Sequence, residues 1–560
     1  MKKSTAACLV AVTLLVLAAF AVRAASLDVQ SLWRDEVDAL RFATAPRAQM
    51  LSNFTRPGWN GPLYFLLLRG WIALAGTSEY SMRFLSLLFG VLCVPLVYAL
   101  GRRLFDRPTG LLAALLVSAS PYLAWYGQEV KMYTLVVALA LTAIYGLRRA
   151  IEGAGRWWWA VPVVATSLAF YAHILAALLI PVQMLAYVAW WPRARRQWIG
   201  ALISLACLTL PYLPLAVWQV PMVLQIRETG FHPYALNEMV EILLNGWSTG
   251  ILAWGSPWGT VLMGALAIWG LVLPLPPVDR GKVSRCFPSY CKGRGKKEEL
   301  RSRLALMGWL LIPLLAVWLV SLRQPLFTDR YLIWAAPPFY LLISLGLTSL
   351  YRLAGWGPAP TADRPSPRWV PVRLLGRTLR RAAALLLIGA ILTLDGANLW
   401  RQATIPVKSD FRAAAAYVAN YHVSAEPDAS QASDEQFAFT HYLPLVIREF
   451  DELIVFQIPY ARYTFGYYFP IETYPWAEGL YTNHRTADGS YIISEQQAAR
   501  RLQQMTAGHN VVWLVATEMD MWDKRGLVQA WLDANARRVD EAHFTRVDVY
   551  RYERNVIRDP

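Results

Sequence analysis

The chain has 560 residues, of which 56% are hydrophobic and only 16% charged, with a mean hydropathy of +0.32. A soluble domain carries about 25% charged residues, so a deficit over this length excludes a single globular core, and the same figures exclude disorder, collagen-like repeats and a disulfide scaffold. What remains is a polytopic membrane protein, with 25 Trp and 27 Tyr to supply interfacial anchors.

Apolar stretches long enough to cross a bilayer occur near 6–22, 83–101, 109–126, 131–148, 157–172, 174–191, 198–218, 251–275, 304–322, 331–350 and 381–400. The first, flanked by Lys2 and Lys3, reads as a retained helix; a cleaved signal peptide is the alternative, and either leaves residue 26 onward outside. The run Pro62 to Gly76 is short and interrupted by Arg69. It reads as an interfacial or re-entrant helix on the outer leaflet.

Net charge tests this order. Residues 402–560 hold 15 Lys and Arg against 21 Asp and Glu, a balance of −6, leaving 39 basic and 17 acidic residues, a balance of +22, before them. With the N-terminus inside, alternation places Arg102 to Arg107, Arg148 to Arg156, Arg193 to Arg196, the run 280–303 and the segment 352–381 in the cytoplasm, as the positive-inside rule requires. The excess is topogenic, and nucleic acid is not an expected partner. The five cysteines, Cys8, Cys93, Cys207, Cys286 and Cys291, all precede residue 402. Cys286 and Cys291 lack nearby His or Cys ligands, so no metal site is expected there.

Beyond Trp400 the composition turns soluble. Ser409 to Tyr421 and Glu495 to Met505 read as helices. Leu453 to Phe456, Val511 to Val515 and the alternation through Thr545 to Tyr552 read as strands. The expected fold is therefore an α-helical polytopic membrane protein of about eleven transmembrane helices, with amphipathic helices in the first outer loop and a C-terminal extracytoplasmic α/β domain. Residues 1–401 form the transmembrane domain and 402–560 the soluble one. The expected location is the plasma membrane, N-terminus cytoplasmic.

The predicted spans hold a single acid, Asp395, which argues against ion-coupled transport. The acids gather in outside loops instead: Asp28, Asp35, Glu36, Asp38, Glu129, Glu228, Glu238, Glu241 and Asp329. In Trp33-Arg34-Asp35-Glu36-Val37-Asp38, a helix puts Asp35 and Asp38 on one face and Glu36 about 100° away. A carboxylate beside the headgroups can deprotonate an acceptor hydroxyl; the same residues also read as a solvated acidic turn. Glu129 and Lys131 sit on a short outer turn, and read either as site residues or as an interfacial ion pair. Arg330 enters a span from outside, where it can hold a lipid phosphate or snorkel. His173 also reaches the outer face, where a lone His is commonly a packing residue. The aromatics from Tyr460 to Tyr481 read as a sugar-stacking lid or as a loop resting on the headgroups.

Together, Trp33-Arg34-Asp35-Glu36, Pro62-Leu63-Tyr64 with Arg83 and Ser86, Gln128-Glu129-Val130-Lys131-Met132-Tyr133, Tyr171-Ala172-His173 and Asp329-Arg330-Tyr331-Leu332 resemble the bacterial membrane glycosyltransferases of family 39. That group has the C-type glycosyltransferase fold and includes protein O-mannosyltransferases and lipid A aminoarabinose transferase. The resemblance covers roughly residues 1–350. It implies an enzyme that moves a sugar from a polyprenyl-phosphate donor to an acceptor hydroxyl on the extracytoplasmic side, by an inverting displacement. The implied catalytic set is Asp35 as base, Glu36 beside it, and Glu129. Lys131, Arg330 and Arg83 would bind the donor phosphate, and Tyr133 and His173 the sugar or acceptor. Two departures stand out. Arg56-Pro57-Gly58-Trp59-Asn60-Gly61-Pro62 replaces an expected His-Pro-Pro-like stretch, which weakens any divalent-metal assignment, and Val130-Lys131 stands where Ala-Arg is commoner. No cofactor is assigned. The acceptor, whether protein, lipid or glycan, is not specified by the residues, and a glycolipid flippase without transferase activity is the rival reading.

Overall fold

The computed structural model describes residues 2–54, 60–217, 225, 231–252, 257–273, 296–353, 370–424, 451–486 and 490–554. The stretch 56–59, Glu228, Cys286, Cys291 and the basic residues of 280–295 lie outside them. Two compact units emerge. One comprises Met1–Leu27 and Phe42–Thr404; the other comprises Asp28–Arg41 and Ile405–Pro560. The acidic stretch after the first helix thus belongs to the C-terminal unit, across more than 360 intervening residues.

Among the described residues of the membrane unit, every expected span contains helix. Among the described residues seven helices are long and apolar enough to cross a bilayer, among them Ala6–Ala24, Glu79–Leu104, Tyr133–Ile151 and Thr378–Thr404. The stretch 109–126 is not one straight span. It is a helix over Arg107–Ala119 followed by a second over Pro121–Gly127, bent by 57°. Pro121 cannot donate to the ladder of the first, and Ser120 restarts the helix by accepting the Leu123 N–H at 3.2 Å. The other three spans are shorter helices: Ala160–Ala172, Ile174–Ala189 and Pro257–Val272. The run after Pro62 folds as a 13-residue helix, Leu63–Ala75, about 20 Å long and too short to span.

Close helix approach uses glycine. A Cβ on Gly101 would lie 2.9 Å from the Gly110 Cα, so helices Glu79–Leu104 and Arg107–Ala119 cross backbone to backbone. Ion pairs join all five segments that the charge rule assigns to the cytoplasm. Arg103 Nε meets Glu152 at 2.6 Å, Arg148 meets Glu152 at 3.0 Å and Glu298 at 2.6 Å, Arg193 meets Glu298 at 2.9 Å, and Arg352 meets Asp106 at 2.6 Å. These helix ends therefore share one end of the unit.

The C-terminal unit is built on a five-stranded sheet of order β2-β1-β3-β5-β4, where β1 is Glu452–Phe456, β2 Trp476–Glu478, β3 Val511–Thr517, β4 Arg537–Phe544 and β5 Val547–Glu553. Strand β1 runs parallel to β2 and β3; β5 is antiparallel to β3 and β4. Alternation along β3 sends Trp513 and Val515 to one face and Val512, Leu514 and Ala516 to the other, and each face closes its own apolar core. Helix Phe411–Ser424 covers the first. Its cap is Asp410, whose Oδ1 accepts the Ala413 N–H at 3.0 Å. Helix Glu495–Met505 starts with a capping box between Ser494 and Gln497.

Candidate active site

Within the membrane unit the separated motif stretches are tied to one another. The break after Ala119 leaves carbonyls at the end of that helix without helical partners, and Arg23, wholly buried, donates to the carbonyls of Val117 and Ser118, both at 3.0 Å. Gln128 then donates to the Arg23 carbonyl at 2.7 Å and to Ser26 Oγ at 2.8 Å. The Lys131 N–H donates to the Glu129 carbonyl at 2.7 Å, closing a three-residue turn. Glu129 is 1% exposed and Lys131 half-buried.

Ser86 links this turn to the next motif. Its Oγ donates to the Lys131 carbonyl at 3.0 Å and lies 2.7 Å from the Tyr64 hydroxyl. Tyr126, edge-on to Tyr133 with centroids 5.2 Å apart, donates to Asp329 Oδ2 at 2.8 Å, and Tyr122 donates to the Asp329 carbonyl at 3.0 Å. These bonds fix the start of the 3-10 turn Asp329–Ala335 that carries Arg330. The His173 ring lies 5.0 Å from that of Tyr331, and Asn60 Oδ1 accepts the neighbouring Ile174 N–H at 3.2 Å.

The unit therefore gathers Glu129, Lys131, Tyr133, His173 and Arg330 on a hydrogen-bonded frame, with Lys131 and Arg330 only partly buried. Arg83 is nearly inaccessible and donates to the Leu27 carbonyl at 2.8 Å, securing the chain as it leaves the first helix. Burial, reinforced by the Arg330 guanidinium, pushes His173 down to about 4. At neutral pH its imidazole is uncharged, and Nδ1 accepts the Leu175 N–H at 3.3 Å.

The acidic pair lies in the C-terminal unit, in the first turn of the helix Arg34–Thr44, where the helix dipole favours negative charge. Its two members meet different surroundings. Asp35 is half-buried. Glu36 is fully buried, 2.9 Å from Lys408 Nζ, and also accepts the Trp33 N–H at 3.4 Å. Around them the domain grips the segment closely. Arg34 lies 3.9 Å over the Tyr460 ring and Arg41 3.3 Å over Tyr463, and the Tyr468 hydroxyl accepts the Leu32 N–H at 2.7 Å. Gln30 donates to the Ile405 carbonyl and accepts the Val407 N–H. In the aromatic segment Phe465 and Phe469 are core, and Tyr460, Tyr463 and Tyr468 meet the acidic helix and the residues before it.

Three residues absent from the sequence reading matter here. Arg23 resembles the flank of an anchor, and Lys408 resembles linker. Glu518, at the carboxyl end of β3, is one of two non-glycine residues with positive φ among the described residues, at 47°; Arg546, across the sheet, is the other at 57°. Burial raises the Glu518 carboxyl above its ordinary range, against the lowering charges of Arg34 and Arg546, and Asp35 adds to the rise. Backbone strain of this kind collects at functional sites. No local pattern announces such a residue.

Among the described residues no three His, Cys, Asp or Glu side chains gather as metal donors.

Residues 56–218 match the family model described as dolichyl-phosphate-mannose-protein mannosyltransferase. The structure is similar to that of ArnT from Cupriavidus metallidurans in the apo state, at 14% identity over 96% of this chain and 97% of that one, TM-score 0.52. The undecaprenyl phosphate complex of the same protein gives 14% identity over 96% and 97%, TM-score 0.51. The Archaeoglobus fulgidus oligosaccharyltransferase tethered to an acceptor peptide with the NVT sequon gives 12% identity over 97% and 74%, TM-score 0.51. No curated protein matches the chain in sequence.

Proposed function

We propose, from the premise that the chain carries the C-type glycosyltransferase fold of these proteins, that it transfers a sugar from a polyprenyl-phosphate donor to an acceptor hydroxyl on the extracytoplasmic side. The observation that supports this most is the joining of five separated motif stretches, at Asn60 to Tyr64, Ser86, Gln128 to Tyr133, His173 and Asp329 to Tyr331, on one hydrogen-bonded frame. The match at 56–218 names dolichyl-phosphate-mannose and the ArnT complex holds undecaprenyl phosphate; both carriers are polyprenyl phosphates.

The reaction is a single inverting displacement. The acceptor oxygen forms a bond to the anomeric carbon as Asp35 takes its proton. The bond from that carbon to the phosphate oxygen breaks, and the phosphate leaves with the electron pair. Lys131 and Arg330 offset the negative charge that develops, and Arg83 adds a fixed positive charge from its buried position. Glu129 belongs to the same catalytic set, and Tyr133 and His173 contact sugar or acceptor through an aromatic ring and a neutral imidazole. A phosphate is a competent leaving group, so no general acid is needed.

The test is turnover of purified protein with a radiolabelled polyprenyl-phosphate sugar. Asp35→Asn is expected to lose about 10²- to 10⁴-fold in rate while keeping expression and thermal midpoint. Wild-type turnover by that variant retires the base; glycolipid movement in sealed vesicles with no transfer retires the reaction.

A further inference from the structure

The ion pair between Glu36 and Lys408 has no assigned purpose, and its burial is unusual. The Lys408 side chain is 5% exposed and that of Glu36 0%. Taking two charges out of water is costly, and an apolar pair of similar volume commonly serves stability as well or better. A buried pair that persists is best attested where direction or register must be set.

The surroundings supply that direction. Glu36 is the third residue of the helix Arg34–Thr44, and its Oε2 touches both Lys408 Nζ and the Trp33 N–H, so one carboxylate fixes the helix's first turn to residue 408. Lys408 Nζ also lies 5.7 Å from the Trp33 ring centroid. Gln30 Oε1 accepts the N–H groups of Val407 and Lys408, at 2.9 and 3.3 Å, which holds the lysine's own backbone against the same segment. Attachment of the helix does not need the ion pair, because Arg34, Arg41 and Leu32 already meet Tyr460, Tyr463 and Tyr468. What the pair adds is rotation about the helix axis. Asp35 precedes Glu36 and points about 100° away from it, so fixing one carboxylate fixes the heading of the other.

We propose that Lys408 is a positioning residue: by holding Glu36 it sets the rotation of the first turn of the acidic helix and so the direction of the Asp35 carboxylate. The C-terminal domain, on this account, is the holder of the catalytic base. The inference rests on the reading of Asp35 as that base.

Full-length protein tests it with kcat and KM for the sugar-lipid donor, thermal midpoints and hydrogen exchange of the acidic helix. Lys408→Met is expected to lower kcat at least tenfold with donor KM unchanged, and to speed exchange of that helix's amides. Combined with Glu36→Leu it should recover the wild-type midpoint while the amides of that helix still exchange faster than in the wild type. Added to Asp35→Asn it should cost nothing further, because it acts through that carboxylate. Recovery of wild-type exchange together with the midpoint in the double variant E36L/K408M would reduce the pair to a stability element and overturn the proposal. Multiplying losses in D35N/K408M would overturn it as well. If Asp35→Asn alone turns over normally, the base reading fails; unchanged exchange of the helix in Lys408→Met then independently rejects the positioning role.

Discussion

The two units bury charge in different ways. In the membrane unit Arg148, wholly buried, shares Glu152 and Glu298 with Arg103 and Arg193, so each carboxylate answers to more than one cation and several helix ends are tied at once. In the C-terminal unit two apolar cores flank the sheet, and the pair of Glu36 with Lys408 lies buried at the first turn of the acidic helix. A shared network distributes its attraction over many partners and secures packing. A buried pair at a helix's first turn bears on where that helix points. Buried charge therefore bundles helices in one unit and aims a side chain in the other.

The sharpest contrast comes from activity. Asp35→Asn removes about 10²- to 10⁴-fold in rate on the proposed chemistry, whereas Arg148→Met leaves the chemistry in place and costs about 1.5–3 kcal/mol of stability, because Glu152 and Glu298 lose a buried partner but keep Arg103 and Arg193. Thermal unfolding in detergent alongside the transfer assay separates the two. Within the network, position grades the effect. The Arg193 side chain is 50% exposed, so Arg193→Met should cost under about 1 kcal/mol; a loss equal to that of Arg148→Met would mean the network acts as one unit.

Glu518 tests the C-terminal side. Glycine tolerates a left-handed backbone that costs other residues about 1–2 kcal/mol, so Glu518→Gly should raise the midpoint of that domain by a corresponding amount. The carboxyl adds a pH term. Its folded value is raised above the ordinary 4.5, so its stabilising share is full below that value and is lost as pH rises through the folded one. Glu518→Gln should therefore gain on the wild type at pH 7 to 8, and the gap should close toward pH 4; a gap constant with pH would deny the burial. The smallest effect is local. Ser494→Ala removes one half of the capping box and should cost about 1 kcal/mol, read as faster exchange in the first turn of helix Glu495–Met505.

Strand β4 shows why part of the C-terminal fold was not legible. Arg537 to Phe544 is mostly polar and carries a bulge between Arg538 and Asp540, as suits an edge strand that must avoid pairing with another chain, so it has neither the apolar run that marked β3 nor the alternation that marked β5. The break at Pro121 was hidden for another reason: apolar residues continue on both sides, and hydropathy does not register a bend. The candidate residues Glu129, Lys131, Tyr133, His173 and Arg330 could be named because each stands in a short patterned stretch. Arg23 and Lys408 stand in none, since what distinguishes them is a partner about a hundred and several hundred residues away.

Local chemistry alone determined the helical membrane character, the positions of the spans, the common end shared by the basic segments and the nature of the C-terminal domain, because hydropathy, charge and alternation act over a few neighbouring residues. Tertiary structure decided which unit owns the acidic helix, which of its two carboxylates is buried, and which cation holds it. Those outcomes depend on segments meeting across the length of the chain, and the energy of a buried charge is set by what surrounds it in space.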